Sequence, residues 1–233
     1  MNLPRFRIKH ILFILALGLL PLLFITDQTS AYSLENFQTP TPTAIAGGLT
    51  SSVDGSLWFI KINEKQLVRV DENGAMTEYD ISQTVGDGLV SKITISSSGS
   101  PMFIIMDSEA NPSREIKIVT MNSDGQTSYV TTTVPTTVNN VDDNGFRMPG
   151  IVTSADGKLF IYGNGVNNAH PIVMKIEPST GAVIDFWEPS GPEPGTFMAA
   201  QLDNQGNLWV APSGKLVRIS ANGQMDSFAL NNI

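Results

Sequence analysis

The chain has 233 residues, a formal net charge of −8 and no cysteine. The surplus of acidic residues argues against nucleic acid and anionic lipid headgroups as partners, because both carry dense negative charge. The absence of cysteine excludes disulfides and anchoring through a lipid-modified cysteine.

The N-terminal segment has the pattern of a secretory signal peptide. Three basic residues within residues 1–10 precede an apolar run over residues 11–25, and Thr29 and Ala31 provide the small residues of a cleavage site. We expect cleavage after Ala31 and a secreted or periplasmic protein. Residues 32–233 then form the mature domain, with a net charge of −10, because cleavage removes three basic residues and one acid.

The alternative for this segment is an uncleaved membrane anchor. A spanning helix needs roughly 20 apolar residues. The apolar run here is shorter and contains Pro21. We expect contact with a membrane only if the segment stays uncleaved.

A first sequence phrase recurs four times after the signal segment. It consists of a turn glycine followed by apolar and aromatic residues, and its copies lie at 53–59, 98–104, 156–161 and 205–210. Its glycines are Gly55, Gly99, Gly157 and Gly206, which are 44, 58 and 49 residues apart. Glycine supplies the positive φ that tight hairpin turns require, so each copy predicts a reversal between two strands.

A second phrase comes after each copy of the first, and it also ends at a turn glycine. Its copies run over 67–74, over 116–118 and on to Gly125, over 173–181 and over 216–223. Apolar residues alternate with a basic residue in each copy, as in Val68-Arg69-Val70, and Ile116-Lys117-Ile118 is taken as the equivalent in the second unit. A short strand with an aromatic residue comes next, at 76–79, 127–129, 183–186 and 225–228. This period of two predicts strands with one buried face.

The ordered pair of phrases predicts an all-β fold, a β-propeller of about four four-stranded blades. We expect the blades at about 43–82, 86–131, 146–188 and 195–230. A β-sandwich is the alternative. It does not account for two linked phrases that recur in the same order.

These phrases resemble the repeat of the streptogramin lyase (virginiamycin B lyase-like) family and the related NHL and gluconolactonase-like propellers. The matching residues of the first unit are Ala44-Ile45-Ala46, Asp54 to Phe59, Leu67 to Val70, and Gly74 with Glu78-Tyr79. The resemblance implies six or seven blades, whereas four are counted here. A closed four-bladed ring, a partial propeller and a homodimer that completes a larger propeller therefore all stay open.

The resemblance also implies histidines, an acidic residue and a divalent metal at a lyase site. His170 is the one histidine left after signal cleavage, and it lies in a polar loop that does not match the family's motif. The family's catalytic set is therefore not carried over, and no catalytic residue is assigned. General-base catalysis also needs a partner that sets the pKa of the imidazole. We keep His170 as a candidate ligand contact only.

A second candidate site lies in the acidic segment 140–145. Asn140, Asp142 and Asn144 place oxygen ligands at alternate positions, as at the start of a calcium loop. The twelfth position is Ile151 rather than a bidentate acid. An acidic turn is therefore favoured, with a Ca²⁺ or Mg²⁺ site as the alternative, and no other cofactor is evident.

The positions of the three tryptophans in the repeat predict different roles for them. Trp58 and Trp209 occupy the repeated strand and are predicted to pack between blades. Trp187 precedes a proline-rich stretch, and we expect it to be exposed and to contact a ligand.

The function predicted from these patterns is a binding or scaffolding module for a protein or small-molecule ligand. Binding is expected in the loops that differ between units. These loops are 107–114, 131–147, 163–171 and 188–195. The alternative is a metal-dependent enzyme of the streptogramin lyase or lactonase class.

Overall fold

The computed structural model describes residues 46–106, 115–135, 146–165, 171–189, 199–212 and 214–230. The chain divides into two compact units, Met1–Phe37 and Gln38–Ile233, and all described residues belong to the second. Among them, no helix has the length and apolar character needed to cross a membrane.

Four antiparallel sheets of four strands each make up the described fold. Blade 1 contains β1 (Ala46–Ser51), β2 (Leu57–Lys61), β3 (Gln66–Val70) and β4 (Met76–Asp80), and the short helix α1 (Ser82–Val85) comes after it. Blade 2 contains β5 (Leu89–Ile95), β6 (Pro101–Met106), β7 (Glu115–Met121) and β8 (Thr127–Thr133). Blade 3 contains β9 (Phe146–Thr153), β10 (Leu159–Gly165), β11 (Pro171–Ile176) and β12 (Val183–Trp187). Blade 4 contains β13 (Ala200–Leu202), β14 (Leu208–Val210), β15 (Lys215–Ile219) and β16 (Met225–Ala229).

Strands that are consecutive in the chain are neighbours in every sheet, so each blade is a meander. The predicted fold class, an all-β propeller with four four-stranded blades, is confirmed.

The turns of the blades share one hydrogen-bonding scheme. In blade 1 the Ser52 amide donates to the Ser56 carbonyl at 2.8 Å, and the Gly55 amide donates to the Ser52 carbonyl at 3.1 Å. The turns before β6, β10 and β14 repeat this pair of bonds. The glycine of each predicted turn has a φ between 73° and 88°, a region that residues with a Cβ rarely adopt. The predicted reversals at the glycines are therefore confirmed.

Neighbouring blades pack face to face. We call the face toward the next blade in the chain the leading face and the opposite one the trailing face. Trp58 and Ile60 on the leading face of blade 1 share a buried cluster with Phe103 and Val119 on the trailing face of blade 2. Two similar clusters join blade 2 to blade 3 and blade 3 to blade 4. The hydrophobic core therefore lies between the sheets.

The pairing register corrects the predicted equivalence of the second unit. Trp58 is the third residue after the turn glycine of blade 1, and it pairs with Arg69. The third residue after the turn glycine of blade 2 is Met102, and it pairs with Thr120, so Thr120 is the equivalent of Arg69. Lys117 pairs instead with Ile105. The matching of Ile116-Lys117-Ile118 with Val68-Arg69-Val70 is wrong by three residues, because β7 is longer than β3. An odd shift moves a side chain to the other face of the sheet, so Lys117 lies on the trailing face.

The first and last blades are not joined in the part of the chain that the structure describes. Strands β1 and β5, β5 and β9, and β9 and β13 pack between neighbouring blades. Among the described strands, none of blade 1 packs on one of blade 4 in this way.

Candidate ligand-binding cleft

A cleft of about 650 Å³ lies between the segment that leaves blade 1 and the trailing face of blade 2. Ligand sites in proteins commonly have volumes of about 300–1,000 Å³. The residues that line the cleft are Gln83, Thr84, Val85, Gly86, Asp87, Gly88, Ile105, Lys117, Thr127 and Tyr129. One wall therefore comes from α1 and the glycine-rich turn after it, and the other comes from β6, β7 and β8.

Helix α1 is fixed to both blades that it connects. The Ser82 amide donates to Oδ1 of Asp80 at 2.8 Å, and the hydroxyl and amide of Ser82 hold the pKa of that carboxyl below its usual value. Val85 is buried in the cluster between blades 1 and 2. The hydroxyls of Thr84 and Thr127 are 2.5 Å apart. These contacts form the first wall before any ligand binds.

The turn after α1 depends on two glycines for different reasons. Gly86 has a φ of 55°, and a Cβ placed there would meet nothing within 4 Å. At Gly88 an added Cβ would lie 2.5 Å from Cγ2 of Ile105 and 2.9 Å from the Met106 carbonyl oxygen. The Lys65 ammonium also donates to the Gly86 carbonyl. Gly88 thus allows the turn to approach blade 2 closely enough to form the cleft.

Lys117 and Tyr129 supply the binding chemistry of the second wall. The Lys117 Nζ atom lies 5.5 Å from the centroid of the Tyr129 ring, which is within cation–π range. Tyr129 is 57% exposed. None of the ion pairs between described residues includes Lys117 or Asp87. The cleft therefore combines an exposed aromatic ring, an ammonium and a carboxylate whose charges are not matched by ion pairs within the described part of the chain.

Two further clefts, at the ends of the blades that carry the glycine turns, contain carboxylates that already accept hydrogen bonds from the protein. In the one between blades 1 and 2, Asp54 accepts a 2.8 Å bond from Arg69. The hydroxyl and amide of Ser56, followed by Arg69, hold the pKa of Asp54 well below its usual range. In the other, between blades 2, 3 and 4, Asp203 takes part in the lining.

The Asp203 carboxylate is occupied by groups of its own blade. It accepts bonds from the Asn207 side-chain amide and the Trp209 indole, both at 2.9 Å. These two bonds, of which the bond from Asn207 has the larger effect, lower the pKa of Asp203 to about 2. Asp54 and Asp203 therefore stabilise turns, and we place the candidate site at α1 and blade 2.

The structure assigns Trp187 a packing position. Its indole Nε1 donates to the Gly223 carbonyl at 2.9 Å, and its ring centroid lies 6.1 Å from that of Phe160. The side chain is half-buried and packs against the cluster between blades 3 and 4. The sequence predicts an exposed ring here, whereas the ring is half-buried because it packs on Phe160 and bonds to Gly223. Its contact with a ligand stays a prediction.

The other two tryptophans differ from each other. Trp58 is buried between blades 1 and 2, as predicted. Trp209 lies on the leading face of blade 4 and stacks on Phe228 of the same blade, with ring centroids 5.7 Å apart. No described strand packs on this side of Trp209, so its predicted packing between blades stays a prediction.

The remaining predicted site residues lie outside the described residues. These are His170 and the metal candidates Asn140, Asp142 and Asn144. Their roles stay predictions.

The resemblance implies a divalent metal, which needs several donor side chains that converge on one point. Within the described blades, no three His, Cys, Asp or Glu side chains come together in a group that could hold a metal ion. The donor set of the described residues therefore does not fit a metal centre, and we derive no chemistry through one.

The sequence contained a signal for the cleft that the repeat analysis missed. The repeat predicts only that Tyr129 lies on the outer strand, and it matches Lys117 to the wrong face of blade 2. Counting strand β7 back from the turn at Gly125 places Lys117 and Tyr129 on the same face of blade 2. The residues of α1 show no comparable periodicity.

The fold is similar to that of solved lyase propellers. Virginiamycin B lyase from Staphylococcus aureus has a TM-score of 0.58 at 22% identity, over 83% of this chain and 58% of that chain. A streptogramin B lyase has a TM-score of 0.51 at 19% identity, over 86% of this chain and 74% of that chain. A protein of unknown function from Bacteroides caccae has a TM-score of 0.55 at 14% identity, over 87% of this chain and 65% of that chain.

No protein-family model matches the sequence, and no curated protein matches it. The predicted resemblance to streptogramin lyase propellers is confirmed at the level of the fold. The chain spans 58% of the length of the S. aureus lyase, so the similarity covers part of that propeller.

Proposed function

We propose that the protein is a binding propeller whose ligand site is the cleft between α1 and blade 2. The observation that carries this proposal is the Lys117 ammonium beside the exposed Tyr129 ring, 5.5 Å from its centroid. An aromatic ring together with a few charged groups in one concave site is the combination by which ligand pockets bind and orient a ligand. The rigid wall formed by α1 supports a site that exists before the ligand binds.

The chemistry of the lining favours an acidic sugar as the ligand. The flat face of Tyr129 suits the C–H face of a pyranose ring, and Lys117 can donate to a carboxylate. Asp87 can accept hydrogen bonds from sugar hydroxyls. A volume of about 650 Å³ accommodates a ligand of about two sugar units. Because the chain carries a net charge of −8, the local cation is needed to offset repulsion of an anionic ligand.

Isothermal titration calorimetry with two matched probes tests this proposal. The probes are an α-1,4-linked digalacturonic acid and the neutral digalactose of the same linkage. We expect the acidic disaccharide to bind more tightly, and added salt to weaken its binding. Equal affinities for the two probes, or no heat from either, would overturn the proposal.

Export belongs to the same proposal, because an acidic sugar polymer is an extracellular ligand. The basic residues and apolar run within residues 1–25 support a secreted or periplasmic location. N-terminal sequencing of the protein recovered from the culture medium or periplasm is expected to begin at Tyr32. Recovery of intact Met1 from the membrane fraction would favour an anchor.

The fold similarity to virginiamycin B lyase favours a second candidate function, a metal-dependent lyase or lactone hydrolase. His170, Asn140, Asp142 and Asn144 are the residues that such an enzyme would draw on. Incubation of the purified protein with a cyclic depsipeptide lactone, with and without EDTA, tests this alternative. Ring opening that EDTA abolishes would support it. Unchanged lactone in both samples would oppose it.

A further inference from the structure

The blades carry a pair of large side chains at equivalent positions of their leading faces. One member lies three residues after the turn glycine, on the second strand, and the other lies on the fourth strand. The rings of Trp58 and Tyr79 are 5.8 Å apart, those of Phe160 and Trp187 are 6.1 Å apart, and those of Trp209 and Phe228 are 5.7 Å apart. Met102 and Val130 hold the same positions in blade 2.

The next blade covers this pair in blades 1, 2 and 3. The second-strand members Trp58, Met102 and Phe160 are 6%, 3% and 2% exposed. In blade 4 the second-strand member Trp209 is half-buried, the fourth-strand member Phe228 is 44% exposed, and Leu230 beside it is 47% exposed. The fourth-strand members of the other blades, by contrast, are half-buried; they are Tyr79, Val130 and Trp187. No described strand packs on this face. Blade 4 thus presents to solvent a surface that the same chain buries against another β-sheet three times.

The trailing face of blade 1, at the opposite end of the described blades, is only partly open, with Leu49 and Leu57 on it 68% and 41% exposed. The centre of the trailing face of blade 1 contains Val68 and Lys61, and both are fully buried. Lys61 is paired there with Glu78. A head-to-tail contact between two copies would therefore bring the exposed Phe228 against a face whose centre is already covered.

The charges on the leading face of blade 4 suit pairing with an identical face. The Arg218 guanidinium bonds to Oδ2 of Asp226 at 2.6 Å, and its carbon lies 5.9 Å from the centroid of the Trp209 ring. Both side chains of the ion pair are partly exposed. Because this face carries one cation and one anion side by side, a two-fold contact can set each arginine against the partner's aspartate, so that opposite charges meet across the interface.

We infer that the protein forms a two-fold dimer through the leading face of blade 4. Trp209 and Phe228 of each copy lie at the centre of the interface, with Leu216 and Leu230 beside them. The Arg218–Asp226 pairs lie across from one another. This inference does not depend on the ligand proposed for the cleft, which lies on blade 2.

Light scattering on the protein purified from cells that express the full 233-residue chain tests the inference. The chain mass of the same preparation is taken from mass spectrometry. We expect twice that mass for the wild type at about 50 µM, a concentration at which weak homodimers are still populated. Phe228→Lys places two ammonium groups at the centre of the interface and should give the single-chain mass.

Ile184→Lys is the matched control. Ile184 is 51% exposed on β12, the outer strand of blade 3, so its replacement adds the same charge at a similar exposure away from the interface. This variant should remain dimeric, and both variants should keep the wild-type circular dichroism spectrum. A monomeric wild type would overturn the inference and point to a different partner for this face. Larger assemblies that grow with concentration, or a dimer that Phe228→Lys leaves intact, would overturn it as well.

Discussion

The ammonium of Lys117 lies 5.5 Å from the ring centroid of Tyr129, on the trailing face of blade 2. The basic residues of the second repeated phrase in the other blades lie on leading faces, where Arg69, Lys175 and Arg218 bond to carboxylates at 2.8, 3.2 and 2.6 Å. Lys117 is on the opposite face because of the register of β7. In the other blades this basic residue bonds to a carboxylate of a turn or of the outer strand. In blade 2 it lies in the cleft instead, where we expect it to bind a ligand.

Replacing Lys117 by alanine tests its role in binding. A hydrogen bond to a charged group contributes about 1.5–3 kcal/mol, so Lys117→Ala should weaken the binding of digalacturonic acid by roughly 10- to 100-fold. Binding is measured by titration calorimetry, and folding is checked by thermal denaturation. Lys92→Ala removes an exposed lysine of β5 that does not line the cleft and should leave the affinity unchanged. Equal losses in the two variants would point to a general charge effect.

Two turn glycines should differ in their tolerance of a side chain. Gly55 and Gly181 both have positive φ, so alanine should cost each about 1–2 kcal/mol of the free energy of unfolding. A Cβ at Gly55 would meet nothing within 4 Å, whereas one at Gly181 would lie 2.2 Å from the Thr131 carbonyl oxygen. Gly181→Ala should therefore cost about 1–3 kcal/mol more, the usual penalty for overpacking. Urea denaturation of both variants measures the difference, and equal losses would contradict the close contact between blades 2 and 3.

The tryptophan between blades 1 and 2 should contribute strongly to stability. Trp58 is 6% exposed, and its ring stacks on Tyr79 with centroids 5.8 Å apart. Truncation of a buried aromatic costs about 3–5 kcal/mol, so we expect a loss of that size for Trp58→Ala in urea denaturation. Trp58→Phe keeps an aromatic ring and should retain most of the stability. A loss below about 1 kcal/mol for the alanine variant would mean that the two blades do not unfold as one unit.

Asp203 should make the fold sensitive to acid. Its pKa is lowered from 3.8 to about 2 in the folded protein, mainly by its bonds to Asn207 and Trp209. A carboxyl with a lowered pKa stabilises the fold above its unfolded-state pKa, and this contribution is lost as the pH falls through the folded-state value. The Tm difference between wild type and Asp203→Asn should therefore be largest at pH 7 and shrink between about pH 4 and pH 2. A difference that does not change with pH would rule out this role of the carboxylate.

The sequence contained enough local information to predict the blades. Gly55 and the glycines at the equivalent turns define the reversals, because few other residues adopt their positive φ. Alternation such as Val68-Arg69-Val70 marks the strands between them. These features depend on neighbouring residues alone, which is why the all-β, four-bladed architecture could be derived without coordinates.

The candidate site could not be derived in the same way, because it depends on contacts between distant segments. Thr84 meets Thr127, which is 43 residues further along the chain, through a hydroxyl contact that no local pattern encodes. The face on which Lys117 lies depends on the length of β7. Aligning Ile116-Lys117-Ile118 with Val68-Arg69-Val70 by sequence similarity puts Lys117 three residues out of register. Whether Trp209 is covered depends on the surface that packs against blade 4, whereas the repeated phrase is the same in covered and uncovered blades.

The most direct test of the proposed site is to map the ligand onto the chain by NMR, from the changes in backbone amide chemical shifts as digalacturonic acid is added. We predict that the largest changes occur at residues 83–88 and at Lys117, Thr127 and Tyr129, and that the neutral digalactose produces much smaller ones. Changes confined to the glycine turns around Asp54 and Asp203, or to blades 3 and 4, would contradict a binding site between α1 and blade 2.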